Sequence, residues 1–249
     1  NWVRVRSTVS EMWPILMSKL LDLNQTQSAV LAIIFKYCDD NTLLLIDLDD
    51  LKKTLSYIGS INDDNFKVEF GNISDASLSV ILRSIIELEG QWGGLCFGEP
   101  SLDIKDLMRT SGTQWVINIL QSYDIFTKPK LYSAFILSFL AECFNTLPEL
   151  GDLEQPKLVI IIDEAHLLFQ DLDKKILDHI TMIIKLIRSR GIGIIFCTQS
   201  PTDIPESILG QLGLKIQHAL RAFTTKYLKA IKAMEQNFPI TEYYNVEKL

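Results

Sequence analysis

The stretch "LVIIIDEAHLLF", residues 158–169, ends an apolar run on two adjacent acids, Asp163 and Glu164. Five consecutive aliphatic residues without polar alternation are typical of a strand that is buried on both faces of a sheet. Because burying a carboxylate without a partner is costly, we expect a strand that ends on two acids to deliver them to a metal ion or a reacting group.

Strands and helices alternate on both sides of this stretch. The predicted strands are residues 115–120, 157–162, 191–198 and 214–220, and the predicted helices are residues 130–147, 173–190, 204–212 and 224–234. This alternation predicts an α/β fold with a parallel sheet covered by helices on both faces. In such sheets ligands bind beyond the carboxyl ends of the strands, where Asp163 and Glu164 lie.

The sequence of the first 95 residues predicts helices and no strands. Ser10, Asn24, Asp47 and Ser74 are candidate N-caps, and Gln27 completes a capping box with Asn24. A glycine-rich loop then precedes the change to alternating strands and helices. We therefore divide the chain into a helical subdomain, residues 1–95, and a sheet-bearing part, residues 96–249.

The composition favours a soluble globular protein. The 249 residues are 47% hydrophobic and 22% charged. No window approaches the roughly 18 apolar residues of a membrane span, and the N-terminus lacks the apolar segment of a signal peptide. We therefore expect a cytoplasmic protein without membrane contact. The four cysteines are scattered without zinc-finger spacing, which predicts reduced and mostly buried thiols.

Nucleic acid could be bound only locally, because a net charge of -7 excludes a generally basic surface. One candidate patch is the basic C-terminal part, whose members are Lys215, Arg221, Lys226, Lys229 and Lys232. The alternative is that these are solvated charges on a helix face.

An apolar strand that ends in Asp-Glu is the second nucleotide-binding motif of P-loop ATPases. In that motif the first acid holds Mg²⁺ through its water shell, and the second orients and activates the attacking water. Asp163 is thus a candidate Mg²⁺ ligand through water, and Glu164 a candidate catalytic residue. An ordinary strand end with a helix-capping acid is the alternative.

The next predicted strand ends on Thr198 and Gln199. A parallel neighbour would bring this polar tip beside the two acids. A glutamine placed there can hydrogen-bond both the attacking water and the γ-phosphate. The alternative is a polar strand end before a turn at Ser200 and Pro201.

Several segments together resemble a known family. They are "KLVIIIDEAHLLF", "LIRSRGIGIIFCTQSPTDIPESILGQLG", "KIQHALRAFT", "TVSEMWPILMSKLLDLN" and "GEPSLDIKDLMRT". They look like the HerA/FtsK class of P-loop ATPases, in its YjgR-like branch of HerA-like proteins. The resemblance implies a RecA-like fold and a ring, a hexamer in the intact protein, that uses ATP and Mg²⁺ to move DNA or another polymer.

The resemblance also assigns roles to residues. Asp163 matches the Mg²⁺-coordinating acid, Glu164 the catalytic glutamate and Gln199 the sensor glutamine. Arg188 matches an arginine that reaches the neighbouring subunit's nucleotide, with Arg190 as a second candidate, although a cation near a helix C-terminus is also favourable by itself.

Two further residues are assigned to the nucleotide. Thr198, beside the sensor glutamine, is expected to contact the nucleotide. Arg221 follows a predicted strand and is expected to sense the nucleotide in cis; the alternative is a surface residue of the basic C-terminal part.

One part of the family's pattern is missing. The phosphate-binding sequence G-x-x-x-x-G-K-[ST] does not occur, and no glycine is followed by lysine. The chain also begins with Asn1 instead of Met. We therefore expect a fragment without the phosphate-binding part, which does not hydrolyse ATP by itself. A degenerate, non-hydrolysing homologue is the alternative.

Two other readings of the chain remain. "DEAH" also names a class of helicases, but the Ser-Ala-Thr element and the arginine-rich motif of those enzymes are not found here. His166 is therefore interpreted as a packing residue or a support for a neighbouring side chain. Neither His179 nor His218 has neighbouring carboxylates or histidines that would indicate a metal site. A non-catalytic assembly or interaction scaffold is the second reading.

Overall fold

The computed structural model describes residues 5–61, 64–92, 96–112, 114–151, 153–200 and 203–216. The chain forms two compact units, residues 1–148 and residues 149–249. Helix predominates in the first unit, and the second contains parallel strands, so the chain is a mixed α/β protein as the sequence predicts.

In the described residues up to 92, the first unit contains five helices. They are α1 Pro14–Leu20, α2 Gln25–Asp40, α3 Leu48–Ser60, α4 Asp64–Phe70 and α5 Asp75–Trp92. The capping box predicted for α2 is confirmed, because Gln27 N donates to Asn24 Oδ1 at 3.0 Å and Asn24 N donates to Gln27 Oε1 at 2.9 Å. Asp47 caps α3 as predicted, accepting from Asp50 N at 2.9 Å.

The predicted N-cap at Ser10 is wrong. Helix α1 starts at Pro14 with Trp13 in the cap position. The Ser10 hydroxyl instead accepts a hydrogen bond from Leu45 N at 2.8 Å, which ties the segment before α1 to the segment before α3. The Ser10 hydroxyl therefore binds a backbone N–H that is distant in sequence, and it does not cap α1.

From residue 96 onwards, the described part of the first unit adds three helices and a small sheet. They are α6 Ile104–Leu107, β1 Thr110–Ser111, β2 Gln114–Trp115, α7 Tyr123–Phe126 and α8 Pro129–Thr146. Helix α8 confirms the helix predicted at residues 130–147 and is buried along nearly all of residues 131–143. The structure places α8 in the same compact unit as the N-terminal helices. The sequence predicted it in the sheet-bearing part, residues 96–249.

The predicted buried strand at residues 115–120 is wrong. β1 and β2 form a two-residue antiparallel pair, and residues 116–122 have no regular secondary structure. The side chains of Ile117 and Ile119 are 87% and 76% exposed. A strand needs a hydrogen-bonded neighbour, and no described residue pairs with residues 116–120.

The second unit carries two of the four predicted strands as a parallel pair, but residues 158–162 are not buried on both faces as predicted, because Val159 and Ile161 are 42% and 66% exposed. β3 Leu158–Ile162 is followed by α9 His166–Phe169, α10 Lys174–Leu186, a 3-10 turn Ile187–Arg190, β4 Ile192–Phe196 and α11 Glu206–Leu209. β3 and β4 are parallel neighbours, with Leu158 opposite Ile192 and Ile162 opposite Phe196. The apolar face of α10 is buried at Ile176, Ile180 and Ile183, which holds the crossover helix in this unit.

The predicted elements after α11 are only partly described. Residues 214–216 of the predicted fourth strand are described without strand structure, and Leu214 and Ile216 are exposed. Residues 217–220 and the predicted last helix lie outside the described residues. In the part of the chain that the structure describes, no helix is long and apolar enough to span a bilayer.

Candidate active site

The two acids lie in a tight turn that one backbone residue closes. Cys197 N donates to the carbonyl of Ile162 at 2.9 Å, and Ala165 N donates to the carbonyl of Cys197 at 2.9 Å. Asp163 and Glu164 are therefore the only two residues between a pair of hydrogen bonds to Cys197. This arrangement fixes both acids at the carboxyl end of β3, next to the carboxyl end of β4.

Glu164 has a strained backbone in this turn. Its φ of 47° lies in the left-handed region, which a residue with a Cβ rarely adopts. Its carbonyl accepts a hydrogen bond from Leu167 N at 3.0 Å, so the same residue begins the turn into α9. Such conformations persist where the surrounding structure imposes them, and they cluster at functional sites.

Gln199 contacts Glu164 directly. Its Nε2 donates to Glu164 Oε1 at 2.7 Å, although the two residues are 35 positions apart in sequence. The parallel pairing of β3 with β4 brings the two strand tips together. The carboxylate and the amide that sequence analysis combined therefore form one constellation.

His166 is a neighbour of Glu164 that the sequence indicated only as a packing residue or a support for a neighbouring side chain, without naming which one. Its Nδ1 lies 3.2 Å from Glu164 Oε2. The two side chains meet in the turn that links β3 to α9, where Glu164 has a positive φ. The motif D-E-A-H contained the residue, but its spacing alone did not predict the contact.

Asp163 has the chemistry for Mg²⁺ held through water. The side chain is exposed, and its Oδ1 accepts from Glu164 N at 2.9 Å, which fixes the carboxylate at the end of the strand. Mg²⁺ keeps several waters and is held by one or two carboxylates together with substrate phosphates. The described residues contain no cluster of three or more potential metal ligands, so Mg²⁺ binding at Asp163 through water stays a prediction.

Thr198 and Arg221 are the other predicted nucleotide contacts. The Thr198 hydroxyl donates to the carbonyl of Ser200 at 3.2 Å, within the turn that follows β4. Arg221 lies outside the described residues. Both assignments therefore stay predictions.

Arg188 lies at the opposite end of β4 from Gln199. It is exposed on the 3-10 turn that precedes the strand, whereas Arg190 is half-buried. Between Arg188 and Gln199 lies the whole of β4, five residues that rise by about 13 Å at the usual spacing of a strand. Within one subunit, the backbone of Arg188 is thus at the far edge of the sheet from the acids.

Comparison with known proteins gives one family. A search among curated proteins found no match. The model of the family "Helicase HerA-like C-terminal" matches residues 1–249, which is the whole length of the sequence. The resemblance drawn from the motifs is thus confirmed, and the chain belongs to the helicase HerA-like C-terminal family.

Proposed function

We propose that the chain forms the C-terminal part of a ring-forming, Mg²⁺-dependent ATPase that moves DNA or another polymer. In this proposal the RecA-like core part is residues 96–249 and the helical subdomain is residues 1–95, although residues 96–148 pack with the N-terminal helices in the first compact unit. The observation that carries the proposal is the hydrogen bond between Glu164 and Gln199 at the tips of two parallel strands. Membership of the HerA-like family supports the same class of enzyme.

Each residue of the constellation has a defined task in this proposal. Glu164 takes a proton from the attacking water while the water oxygen bonds to the γ-phosphorus and the bond to the bridging oxygen breaks. Gln199 orients that water through its amide. Asp163 would hold Mg²⁺ through water, and the ion would neutralise charge on the phosphate oxygens.

Arg188 acts on the nucleotide of the neighbouring subunit. An arginine in that position stabilises charge that spreads over the phosphoryl group in the transition state. Two observations support action between subunits: the side chain is exposed, and β4 separates it from the acids of its own subunit. A ring, a hexamer in our proposal, would bring it to the next site.

The phosphate-binding loop comes from outside these 249 residues, because no glycine-lysine pair occurs within them. The polypeptide that carries both this loop and the chain is called the full-length protein below. The chain alone is expected to show no binding of a fluorescent ATP analogue with Mg²⁺ at millimolar nucleotide. Tight binding that Asp163→Ala abolishes would contradict this part of the proposal.

The decisive experiment is ATP turnover by the full-length protein with Glu164→Gln. We expect a loss of at least about a hundredfold in kcat, because the amide cannot accept the water's proton. Glu154→Gln is the matched control, since Glu154 is an exposed loop residue before β3. A low turnover that Glu164→Gln leaves unchanged would indicate a scaffold instead of an enzyme.

The polymer is tested separately. Binding to duplex DNA of random sequence, measured at increasing salt concentration, should weaken steeply if the full-length protein contacts phosphates. Binding that does not depend on salt, or no binding, would remove DNA from the proposal and leave the ATPase assignment intact.

A further inference from the structure

Both oxygens of the Glu164 carboxylate face a polar side chain. Oε1 accepts the Gln199 amide at 2.7 Å. Oε2 is buried and lies 3.2 Å from the buried Nδ1 of His166. Neither Oε2 nor Nδ1 forms a well-aligned hydrogen bond with any described residue.

These two atoms complement each other chemically. A buried polar atom without a partner is costly, and an ionised carboxylate can only accept hydrogen bonds. A histidine ring with its proton on Nδ1 donates where Oε2 accepts. The separation of 3.2 Å is already within hydrogen-bond range, so only the alignment is missing. Rotation about the last torsion of Glu164 or about the histidine ring torsion, both soft, corrects it.

The two side chains have different anchors. His166 is the first residue of α9, and this short helix is fixed by the buried side chains of Leu168 and Phe169. The Phe169 ring also packs edge-on against Phe196 of β4, with ring centroids 5.6 Å apart. Glu164 lies in the strained turn before the helix. The histidine is therefore a fixed support beside a carboxylate on a tight turn.

We propose that His166 is a positioning residue for Glu164: its Nδ1–H holds Oε2, so that Oε1 is the oxygen that meets the attacking water. This inference rests on the proposed ATPase function. Oε1 has a second lone pair, so it can accept from the water while Gln199 remains bonded to it. The carboxylate is then oriented on two sides, by an amide from β4 and an imidazole from α9.

Turnover by the full-length protein tests the proposal with two matched amides. The amide nitrogen of asparagine can take the place of histidine Nδ1, whereas that of glutamine corresponds to Nε2. We expect His166→Ala and His166→Gln to lower kcat on the order of tenfold or more without changing KM for ATP, because a misplaced catalytic group costs rate and not substrate binding. His166→Asn should recover most of the loss.

The histidine control is His179→Ala. His179 is an exposed residue of α10, outside the constellation, and its substitution should leave kcat unchanged. Thermal unfolding of all variants identifies any loss that comes from misfolding. Equal kcat for wild type, His166→Ala and His166→Gln would overturn the proposal, and so would a loss in His166→Asn as large as that in His166→Ala.

A spectroscopic test needs no activity. In the 249-residue chain, nitrogen NMR of the histidine rings should show the proton of His166 on Nδ1. Glu164→Gln should shift this resonance, whereas Glu154→Gln should not. An unprotonated Nδ1, or a His166 ring-nitrogen resonance that does not shift in Glu164→Gln, would contradict the proposed contact.

The two proposals fail in different ways. If Glu164→Gln leaves turnover unchanged, the ATPase assignment of the site fails, and the role of His166 fails with it. If Glu164→Gln abolishes turnover while His166→Ala does not lower it, only the positioning role fails.

Discussion

Glu164 and Gln199 are joined by a hydrogen bond of 2.7 Å because Ile162 and Phe196 are opposite each other in the parallel pair of strands. The acid follows its strand by two residues and the amide by three, so both reach the same edge of the sheet. Two hydrogen bonds of Cys197 to residues on either side of the acids hold this register. The constellation thus depends on backbone pairing as much as on the side chains themselves.

Gln199→Ala should lower kcat of the full-length protein by about a hundredfold, the usual effect of removing a hydrogen-bond donor directed at a reacting group. KM for ATP should change little, because the amide acts on the water. Steady-state turnover measures both constants, with Gln211→Ala as the control, since Gln211 is an exposed residue after α11. A rise in KM at constant kcat would instead place Gln199 in nucleotide binding.

Mixing inactive variants should show whether Arg188 acts between subunits. Arg188→Ala and Glu164→Gln should each abolish turnover, and rings assembled from both should recover part of it. In such rings, some sites combine an intact Glu164 from one subunit with an intact Arg188 from the next. Turnover after unfolding and joint refolding of equal amounts measures this recovery.

The control mixture combines Glu164→Gln with Gln199→Ala. Both residues belong to the same strand tips of one subunit, so no site in a mixed ring contains both intact side chains, and turnover should not return. Recovery in this control, or none with Arg188→Ala, would contradict the division of the site between subunits.

The sequence predicted the meeting of Glu164 and Gln199 at two strand ends better than it predicted the whole sheet. The acids, the parallel neighbour and Gln199 followed from local patterns, because an apolar run with a polar end is a property of a few adjacent residues. The contact of His166 with Glu164 lies in the turn after β3, where Glu164 has a left-handed φ. The residue types in this turn do not predict that backbone conformation, so the sequence alone did not define the contact.

Two wrong predictions of local structure, the strand at residues 115–120 and the N-cap at Ser10, have a common cause. Residues 115–120 have the apolar composition of a buried strand, yet a strand also needs a neighbour, and composition does not identify one. Ser10 was predicted as a cap because it precedes a helical pattern, whereas its hydroxyl binds Leu45 N, 35 residues away. Long-range partners decided both cases, while Asn24 and Asp47, whose partners are three residues away, were predicted correctly.

Gly191→Ala should destabilise the second unit by about 1 to 2 kcal/mol, because the residue has a positive φ and the new methyl group would crowd two leucine side chains. Its φ is 76°, and an added Cβ would lie 3.2 Å from Leu153 Cδ1 and 3.3 Å from Leu150 Cδ1. Hydrogen exchange at Lys157 and Leu158 reports the effect locally, since both amides donate to the Gly191 carbonyl.

Gly193→Ala is the matched control for this substitution. Its φ is not in the left-handed region, and its added Cβ would make only ordinary contacts, the shortest at 3.8 Å. We expect its exchange rates at Lys157 and Leu158 to stay close to those of the wild type. Equal protection in both variants would show that the turn at Gly191 adapts without strain.

Brief alkylation of the native chain at pH 8 should modify Cys197 and spare the other three thiols. Cys197 is exposed at the end of β4, whereas Cys38, Cys96 and Cys143 are buried. Burial also raises the pKa of the Cys143 thiol to about 12, because the apolar surroundings disfavour the thiolate. At pH 8 only about one Cys143 thiol in ten thousand would then be the reactive thiolate.

Mass spectrometry of peptides after iodoacetamide treatment measures the modification of each cysteine. Denaturation in urea should make all four thiols react, because exposure removes both the steric barrier and the raised pKa of Cys143. Cys197→Ser should leave no rapidly modified thiol in the native chain. Modification of Cys143 as fast as that of Cys197 would mean that α8 opens to solvent, and a slow reaction at Cys197 would mean that the carboxyl edge of β4 is covered in solution.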